Sequence, residues 1–415
     1  MLNNLYIGFF LAIRQIRRAS LWTTLLIISV MVLTFLNLVV ISGILVGLIE
    51  GSVNANKQYY TSDIIVSKLQ DKDYIENTPF ITNILDSMTE VETYSARYLE
   101  GGKIEAGYKE KSDDKKSTNY ASTNFTGINP DKENELTGIK KFIIEGSFLQ
   151  PDDFDQVVLG AYLLEQYFPV ESPGFTTLKN VGVGSKVRIK VGSSTREVTV
   201  KGILKTKVDE ISMRLFMPEK QLRSLIGRTD YNVDEIAIKL KAGVDPVMFK
   251  QKLLSYSIGN YARVQTFEDA QPKFLKDIKD TFALLGNVIS AIGLAVAIIT
   301  VFIVIFINAI TRRKFIGILK GIGISGQAIE MSYVMQSLFY AVCGSSIGLI
   351  MVFGFLVPFF NAHPINFPFS DGILVATPMG TGIRVLLLTV ATMIAGYVPA
   401  RMIVRRNTLD SILGR

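Results

Sequence analysis

Arg312-Arg313-Lys314-Phe315-Ile316-Gly317-Ile318-Leu319-Lys320-Gly321-Ile322-Gly323-Ile324-Ser325 is a short basic segment, punctuated by glycine, between two long apolar runs. Thr281 to Thr311 before it holds no charged residue, and neither does Met331 to Ser370 after it. A hydrocarbon core takes about 20 apolar residues in a helix, so each flank is able to cross a membrane. The segment between them is too short and too basic to do so. It has to turn at the membrane surface, and positive loops stay on the cytoplasmic side.

The rest of the composition agrees with a membrane protein. Of 415 residues 48% are hydrophobic, the mean hydropathy is +0.32, and the apolar residues come in blocks rather than evenly. The formal net charge is +7, but many of the basic residues flank the apolar runs. Topology accounts for them more simply than a nucleic-acid partner does. Cys343 is the only cysteine and His363, beside Pro364 in an outer loop, the only histidine. One of each rules out intramolecular disulfides and disfavours a His/Cys zinc site or a histidine-based triad. The nearest approach to a phosphate loop, Gly182-Val183-Gly184-Ser185-Lys186, lacks the required spacing. Asp113-Asp114 and Asp152-Asp153 are adjacent in sequence and read as solvated loop residues. The apolar runs carry no carboxylates for proton or sodium coupling, which disfavours a self-powered secondary transporter.

In chain order, residues 1–20 read as a cytoplasmic amphipathic helix: Leu5, Phe9, Ala12, Ile13 and Ile16 form an apolar face edged by Arg14, Arg17 and Arg18. Residues 21–49 are uncharged, roughly 43 Å as a helix, too long for a cleaved leader and suited to a first transmembrane helix. Residues 50–280 change character to a charged α+β domain of two subdomains. Strands are expected at Asp63–Ser67, Val91–Leu99, Val157–Gly160, Leu215–Met217 and Glu235–Leu240. A hairpin of Lys186–Val191 and Glu197–Leu204 turns at Gly192-Ser193-Ser194. Helices are expected at Ile81–Met88, Ala161–Tyr167, Pro218–Ile226 and Asp245–Ser255, and Lys109–Asn124 reads as a loop. The stretch from Thr266, with Phe267, Phe274 and Ile278 on one face, leads without a break into a second span at 281–311. Then come the basic segment 312–330, a third span 331–360, an outer loop 361–380, a fourth span 381–404 with Arg384 snorkelling near its outer end, and a cytoplasmic tail 405–415. The fold expected is thus four transmembrane helices with a large extracytoplasmic α+β domain inserted between helices 1 and 2. Both termini are cytoplasmic, since this arrangement puts Arg14, Arg17 and Arg18, then Arg312 to Lys320, then Arg401, Arg405, Arg406 and Arg415 all inside.

Three pieces resemble the permeases of the FtsX/MacB/LolC-type ABC transporter superfamily, the mechanotransmitters. Ala12-Ile13-Arg14-Gln15-Ile16-Arg17-Arg18, followed by Leu21 to Leu26, is similar to the family's opening. Ile144-Glu145-Gly146-Ser147-Phe148, Val157-Val158-Leu159-Gly160, Gly184 to Ile189 and Val198 to Leu204 resemble the MacB-like periplasmic core. Arg312 to Ser325, with Tyr397-Val398-Pro399-Ala400-Arg401 and Asp410-Ser411-Ile412-Leu413, resembles the closing part. Phe315 stands where the family usually has Glu, and Gly321 where Ala is common.

The resemblance implies an inner-membrane subunit that is not itself an enzyme and holds no cofactor, with ATP and Mg bound by a separate ABC ATPase subunit. Arg312 to Gly323 becomes its ATPase-coupling segment. Ile316, Ile318, Leu319 and Ile322 would be apolar anchors, and Arg312, Arg313, Lys314 and Lys320 would meet acidic or lipid-phosphate groups. Phe315, Gly317, Gly321 and Gly323 complete the set. Further partners implied are the lipid membrane, a second permease copy or homologue, and a periplasmic adaptor or lipoprotein. The output is export or membrane extraction of an amphipathic substrate: lipoprotein, peptide, lipid or drug. The alternative is a non-transporting signal transmitter that activates a cell-wall hydrolase, whose outer domain is typically much smaller than residues 50–280.

Overall fold

The computed structural model describes residues 2–108, 119–168, 176–271, 273–363, 365–367, 370–372 and 374–405, and it divides into a helical unit and a sheet-rich unit. The helical unit comprises Met1–Gly51, Phe274–Phe367 and Asp371–Arg415; the sheet-rich unit is essentially Ser52–Lys273. Among the described residues four helices are long and apolar enough to cross a membrane: Leu21–Thr61, Leu275–Thr311, Gly326–Ala362 and Pro378–Val404.

Small residues set how closely these helices pack. Gly344 and Gly348 lie one turn apart on the third long helix and face the first. A Cβ on Gly344 would stand 2.3 Å from the Met31 Cβ, and one on Gly348 2.2 Å from a Phe35 ring carbon. On the fourth helix, a Cβ at Gly396 would come within 1.8 Å of the Ser337 hydroxyl. Lipid offers no hydrophobic drive for helices to associate, so close backbone approach and van der Waals contact have to hold them. Met31, Phe35, Val301, Ile305, Tyr333 and Leu388 are buried in this core. The outward faces are apolar as well: Leu284, Val288, Ile292, Val296, Ile299 and Ile303 recur at helical spacing on the second helix and are exposed. Arg384 is half-buried and donates to the Ser42 hydroxyl of the first helix at 2.7 Å, which is an interhelical contact rather than the snorkelling expected from sequence.

The sheet-rich unit holds ten strands. They are β1 (Ile64–Ser67), β2 (Val91–Glu105), β3 (Tyr120–Ile128), β4 (Ile143–Gly146), β5 (Gln156–Gly160), β6 (Lys186–Val191), β7 (Ser194–Leu204), β8 (Leu215–Pro218), β9 (Glu235–Leu240) and β10 (Arg263–Thr266). Their order is β10-β1-β9-β2-β3-β8-β5-β7-β4, with β6 pairing both β2 and β7. The long β2 joins the two halves: Val91 to Arg97 pairs with β9, and Tyr98 to Glu105 with β3. Both faces are covered, and alternation assigns the side chains. Val157 and Leu159 of β5 enter one core and Val158 another; Leu215 and Met217 of β8 enter the first and Phe216 the second. This is why such strands read as unbroken apolar runs.

Several sequence expectations change. Tyr120 to Asn124 is strand rather than loop, because it pairs with Gly101 to Glu105 in the extended half of β2; residues 109–118 lie outside the described residues. Ala161–Leu163 is a single tight turn, not a helix to Tyr167. The approach to the second span is broken: Thr266 caps a short helix, Phe267–Ala270, and Gln271, which precedes Pro272, is extended. The long helix starts afresh at Lys273. The third begins at Gly326, earlier than expected, and Val352–Leu356 within it is a wider π-helical turn.

Replacing Gly344 or Gly348 by Leu is expected to lower the thermal stability of the detergent-purified chain by about 1–3 kcal/mol from overpacking. Gly382→Leu on the fourth helix, where a Cβ meets nothing within 4 Å, should change little. Equal melting of all three variants would show that the glycine contact does not hold the helices together.

Candidate functional site

The basic segment is a helix bounded by two local signals. Arg312 leaves helical geometry after Thr311, and Arg313–Gly321 forms the next helix. Gly323 stops it by taking a left-handed φ of +92°, while the Ile324 N–H reaches back to the Leu319 carbonyl at 3.0 Å. Ser325 then caps the third long helix by accepting from the Ala328 N–H at 3.3 Å. Arg313 and Lys314 sit in the first turn, where the helix dipole disfavours cations. Local helix stability does not account for them.

The twelve residues singled out by sequence divide between the two sides of this helix. Ile316 is 3% exposed and belongs to the core of the helical unit, Gly317 is buried beside it, and Leu319 packs partly against the same core. As an outward anchor Ile316 is therefore excluded. Phe315, Ile318 and Ile322, spaced three and four residues apart, form the exposed apolar stripe at 63%, 51% and 70%. Lys314 and Gly321 are exposed too, whereas Arg312, Arg313 and Lys320 are half-buried. The Lys320 ammonium donates to the Val404 carbonyl at 3.0 Å, capping the end of the fourth helix.

The N-terminal helix, Leu2–Arg17, is part of the same site. Gly8 and Ala12 are small residues one turn apart. A Cβ on Gly8 would stand 3.0 Å from the Met331 Cβ, and Ala12 is buried. Gln15 is hydrogen-bonded to Gln336 on the third helix. Tyr6, Phe9 and Phe10 remain exposed on the other side. A cavity of about 480 Å³ lies between this helix, the basic helix and the base of the third long helix. Arg14, Arg18, Arg312 and Tyr333 line it together with Leu11, Ile316 and Leu319. Sequence reasoning read Arg14 and Arg18 as the basic edge of an amphipathic helix and as topology signals, not as the lining of a cavity. Their spacing of four residues is the signal that they share a face with Leu11.

A second constellation is buried in the sheet-rich unit, around the last turn of the helix Leu21–Thr61. Arg97 donates to both Glu133 oxygens at 2.8 Å, to Glu235 at 2.9 Å and to the Tyr60 carbonyl at 3.0 Å. Ser95 donates to Glu133 at 2.7 Å, the Tyr60 hydroxyl donates to Glu235 at 3.1 Å, and Arg214 donates to the Tyr60 hydroxyl at 2.8 Å. Removing one partner of such a buried set leaves a charge without compensation, costing about 3–5 kcal/mol. The network therefore fixes the position of Tyr60 firmly. Among the described residues, no group of three His, Cys, Asp or Glu side chains is placed to hold a metal ion.

Comparison with known proteins adds a likeness. Residues 287–408, which include the basic helix and the last two long helices, match the FtsX-like permease C-terminal domain. The chain is similar to FtsX/MacB-type permeases over that stretch. It is 23% identical over 208 residues to the macrolide export ATP-binding/permease protein MacB 1 of Yersinia pestis bv. Antiqua, covering 48% of this chain and 30% of that protein. It is 23% identical over 197 residues to the uncharacterized ABC transporter permease protein Rv0987 of Mycobacterium tuberculosis, covering 46% of this chain and 22% of that protein. The matched part thus spans less than a third of these relatives. The periplasmic region of MacB from Actinobacillus actinomycetemcomitans aligns over 51% of this chain and 92% of that one, at 17% identity and a TM-score of 0.36. The extracellular domain of the transporter YknZ from Gram-positive bacteria aligns over 49% of this chain and 99% of that one, at 14% identity and a TM-score of 0.32.

Beside the network, Asp234 accepts the Leu99 N–H at 2.8 Å, and burial raises its carboxyl to about 6. Between pH of about 4 and about 6 the folded chain then holds a proton that the unfolded chain has lost, so this group's contribution to stability falls as pH rises. Asp234→Asn removes the effect. The variant is expected to gain on the wild type in thermal melts between pH 4 and pH 7, by up to about 3 kcal/mol. A gap independent of pH would contradict it.

Proposed function

We propose that this chain is the membrane subunit of an ABC transporter and couples ATP hydrolysis in a separate ATPase subunit to a conformational change on the outer side. The observation that carries the reading is the basic helix itself. Inside the FtsX-like match, it buries Ile316 and Gly317 in the helical core and turns Phe315, Ile318 and Ile322 outward beside Lys314. A helix held rigidly on one side and apolar on the other suits docking into a groove, where a few apolar anchors supply most of the binding energy. Phe315, at the family's usual Glu position, adds an apolar anchor in place of an ion pair.

In this reading the four long helices cross the inner membrane with the basic clusters inside, both termini are cytoplasmic, and the sheet-rich unit is extracytoplasmic. Two copies, or one copy and a homologue, join two ATPases that bind ATP and Mg. Closure of the ATPases moves the basic helix, and the long helices Leu21–Thr61 and Lys273–Thr311 carry the motion outward. In the sheet-rich unit, Tyr60 and the Arg97 network receive it. The work done is export or membrane extraction of an amphipathic substrate such as a lipoprotein, peptide, lipid or drug, with an adaptor or lipoprotein as the outer partner.

The test is co-purification. The full-length chain expressed in its native cells should bring down an ABC ATPase. The double variant Phe315→Asp/Ile322→Asp should lose it by at least about tenfold, as expected when two hot-spot side chains are replaced. Leu254→Asp, at an exposed position of the sheet-rich unit, should retain it. Full ATPase recovery with the double variant would refute docking through this stripe.

A further inference from the structure

The cavity behind the basic helix has a composition that topology does not require. Three arginines line it, Arg14 on the N-terminal helix, Arg18 in the turn just after it and Arg312 at the cap of the basic helix, and no carboxylate does. No carboxylate partner to these three arginines occurs among the described residues, whereas the arginines of the sheet-rich unit are extensively ion-paired. Tyr333, 1% exposed, lines the same cavity, and its hydroxyl has no hydrogen-bond partner. A buried hydroxyl left unpaired costs about 1–3 kcal/mol, so an acceptor in the cavity would relieve it. The remaining lining is Gln15, whose side chain is hydrogen-bonded to Gln336, and the apolar Leu11, Phe315, Ile316 and Leu319. Charges that only mark the inner side of a membrane need neither a shared cavity nor a buried donor.

We propose that this cavity binds an anionic phospholipid of the inner leaflet. The phosphate accepts from the guanidinium groups of Arg14, Arg18 and Arg312 and from the Tyr333 hydroxyl, and the adjoining acyl carbons lie along Ile316 and Leu319. Arginine forks suit phosphate oxygens, and the apolar wall suits an amphiphile rather than a free anion. The exposed apolar side chains Tyr6, Phe9 and Phe10 of the N-terminal helix place this helix at the headgroup level, where such a lipid is available. A lipid held there bridges the N-terminal helix to the basic helix, so the composition of the inner leaflet would set how firmly the basic helix is held. The inference rests on the membrane reading and not on ATPase docking.

Native mass spectrometry of the full-length chain, purified without any ATPase and loaded with phosphatidylglycerol or phosphatidylcholine, tests it. The wild type should retain phosphatidylglycerol in preference to phosphatidylcholine. Arg14→Gln/Arg312→Gln should lose that retention by about tenfold or more. Tyr333→Phe, which keeps the ring and its packing, should lose it severalfold, while Lys314→Gln, on the same helix but outside the cavity, should lose none. Equal retention by the wild type and the double variant would overturn the proposal, as would equal loss with Lys314→Gln, which would mean diffuse surface charge. Displacement of the lipid by millimolar inorganic phosphate would assign the cavity to a free anion and overturn the lipid identity.

Discussion

Guanidinium and ammonium groups do not rest in hydrocarbon, and the helical unit is arranged around that constraint. Between Thr281 and Ser370 the charged side chains are confined to Arg312–Glu330, so this stretch has to lie at an interface while both neighbours cross. The fold then satisfies the backbone by stopping one helix at Arg312, running a short one along the surface and restarting at Ser325. Ile316 anchors the short helix inward and Lys320 ties it to the end of the fourth helix, which leaves Phe315, Ile318 and Ile322 as its outer surface. The short helix is thereby pinned to the helical core at two points.

Within the sheet-rich unit the comparable fixed point is Arg97. Its guanidinium is bound to two carboxylates and to the backbone at Tyr60. It holds the last turn of a long helix against strands β2 and β9 through directional, desolvated bonds rather than apolar contact alone. A buried network whose members are satisfied in this way is rigid.

The long apolar runs, the basic turn and most strands were legible because their signals are local: absence of charge over a span's length, a Gly stop, alternation, the Gly192-Ser193 turn. What was missed depends on partners distant in sequence. Tyr120 to Asn124 looks like polar loop and becomes strand only because β2 extends to Glu105 and offers it an edge. Ile316 was expected, with Ile318, Leu319 and Ile322, as an apolar anchor of a docking helix; its place in the core shared with Ile329 and Ile403 turns it inward. Gly344 and Gly348, four residues apart in an apolar run, could have been read as a helix-packing pair, and Gly8 with Ala12 likewise. Arg384 with Ser42, and Arg14 with Arg312 across a cavity, join residues roughly three hundred positions apart, beyond any periodicity.

The proposed topology, with the basic segment inside and residues of the sheet-rich unit outside, is measured by impermeant maleimide labelling in intact cells. In a Cys343→Ala background, a cysteine at Met248, exposed in the sheet-rich unit, should label without permeabilisation. A cysteine at Lys314 should label only after the membrane is opened. Labelling of Lys314→Cys in intact cells, or protection of Met248→Cys, would contradict the account.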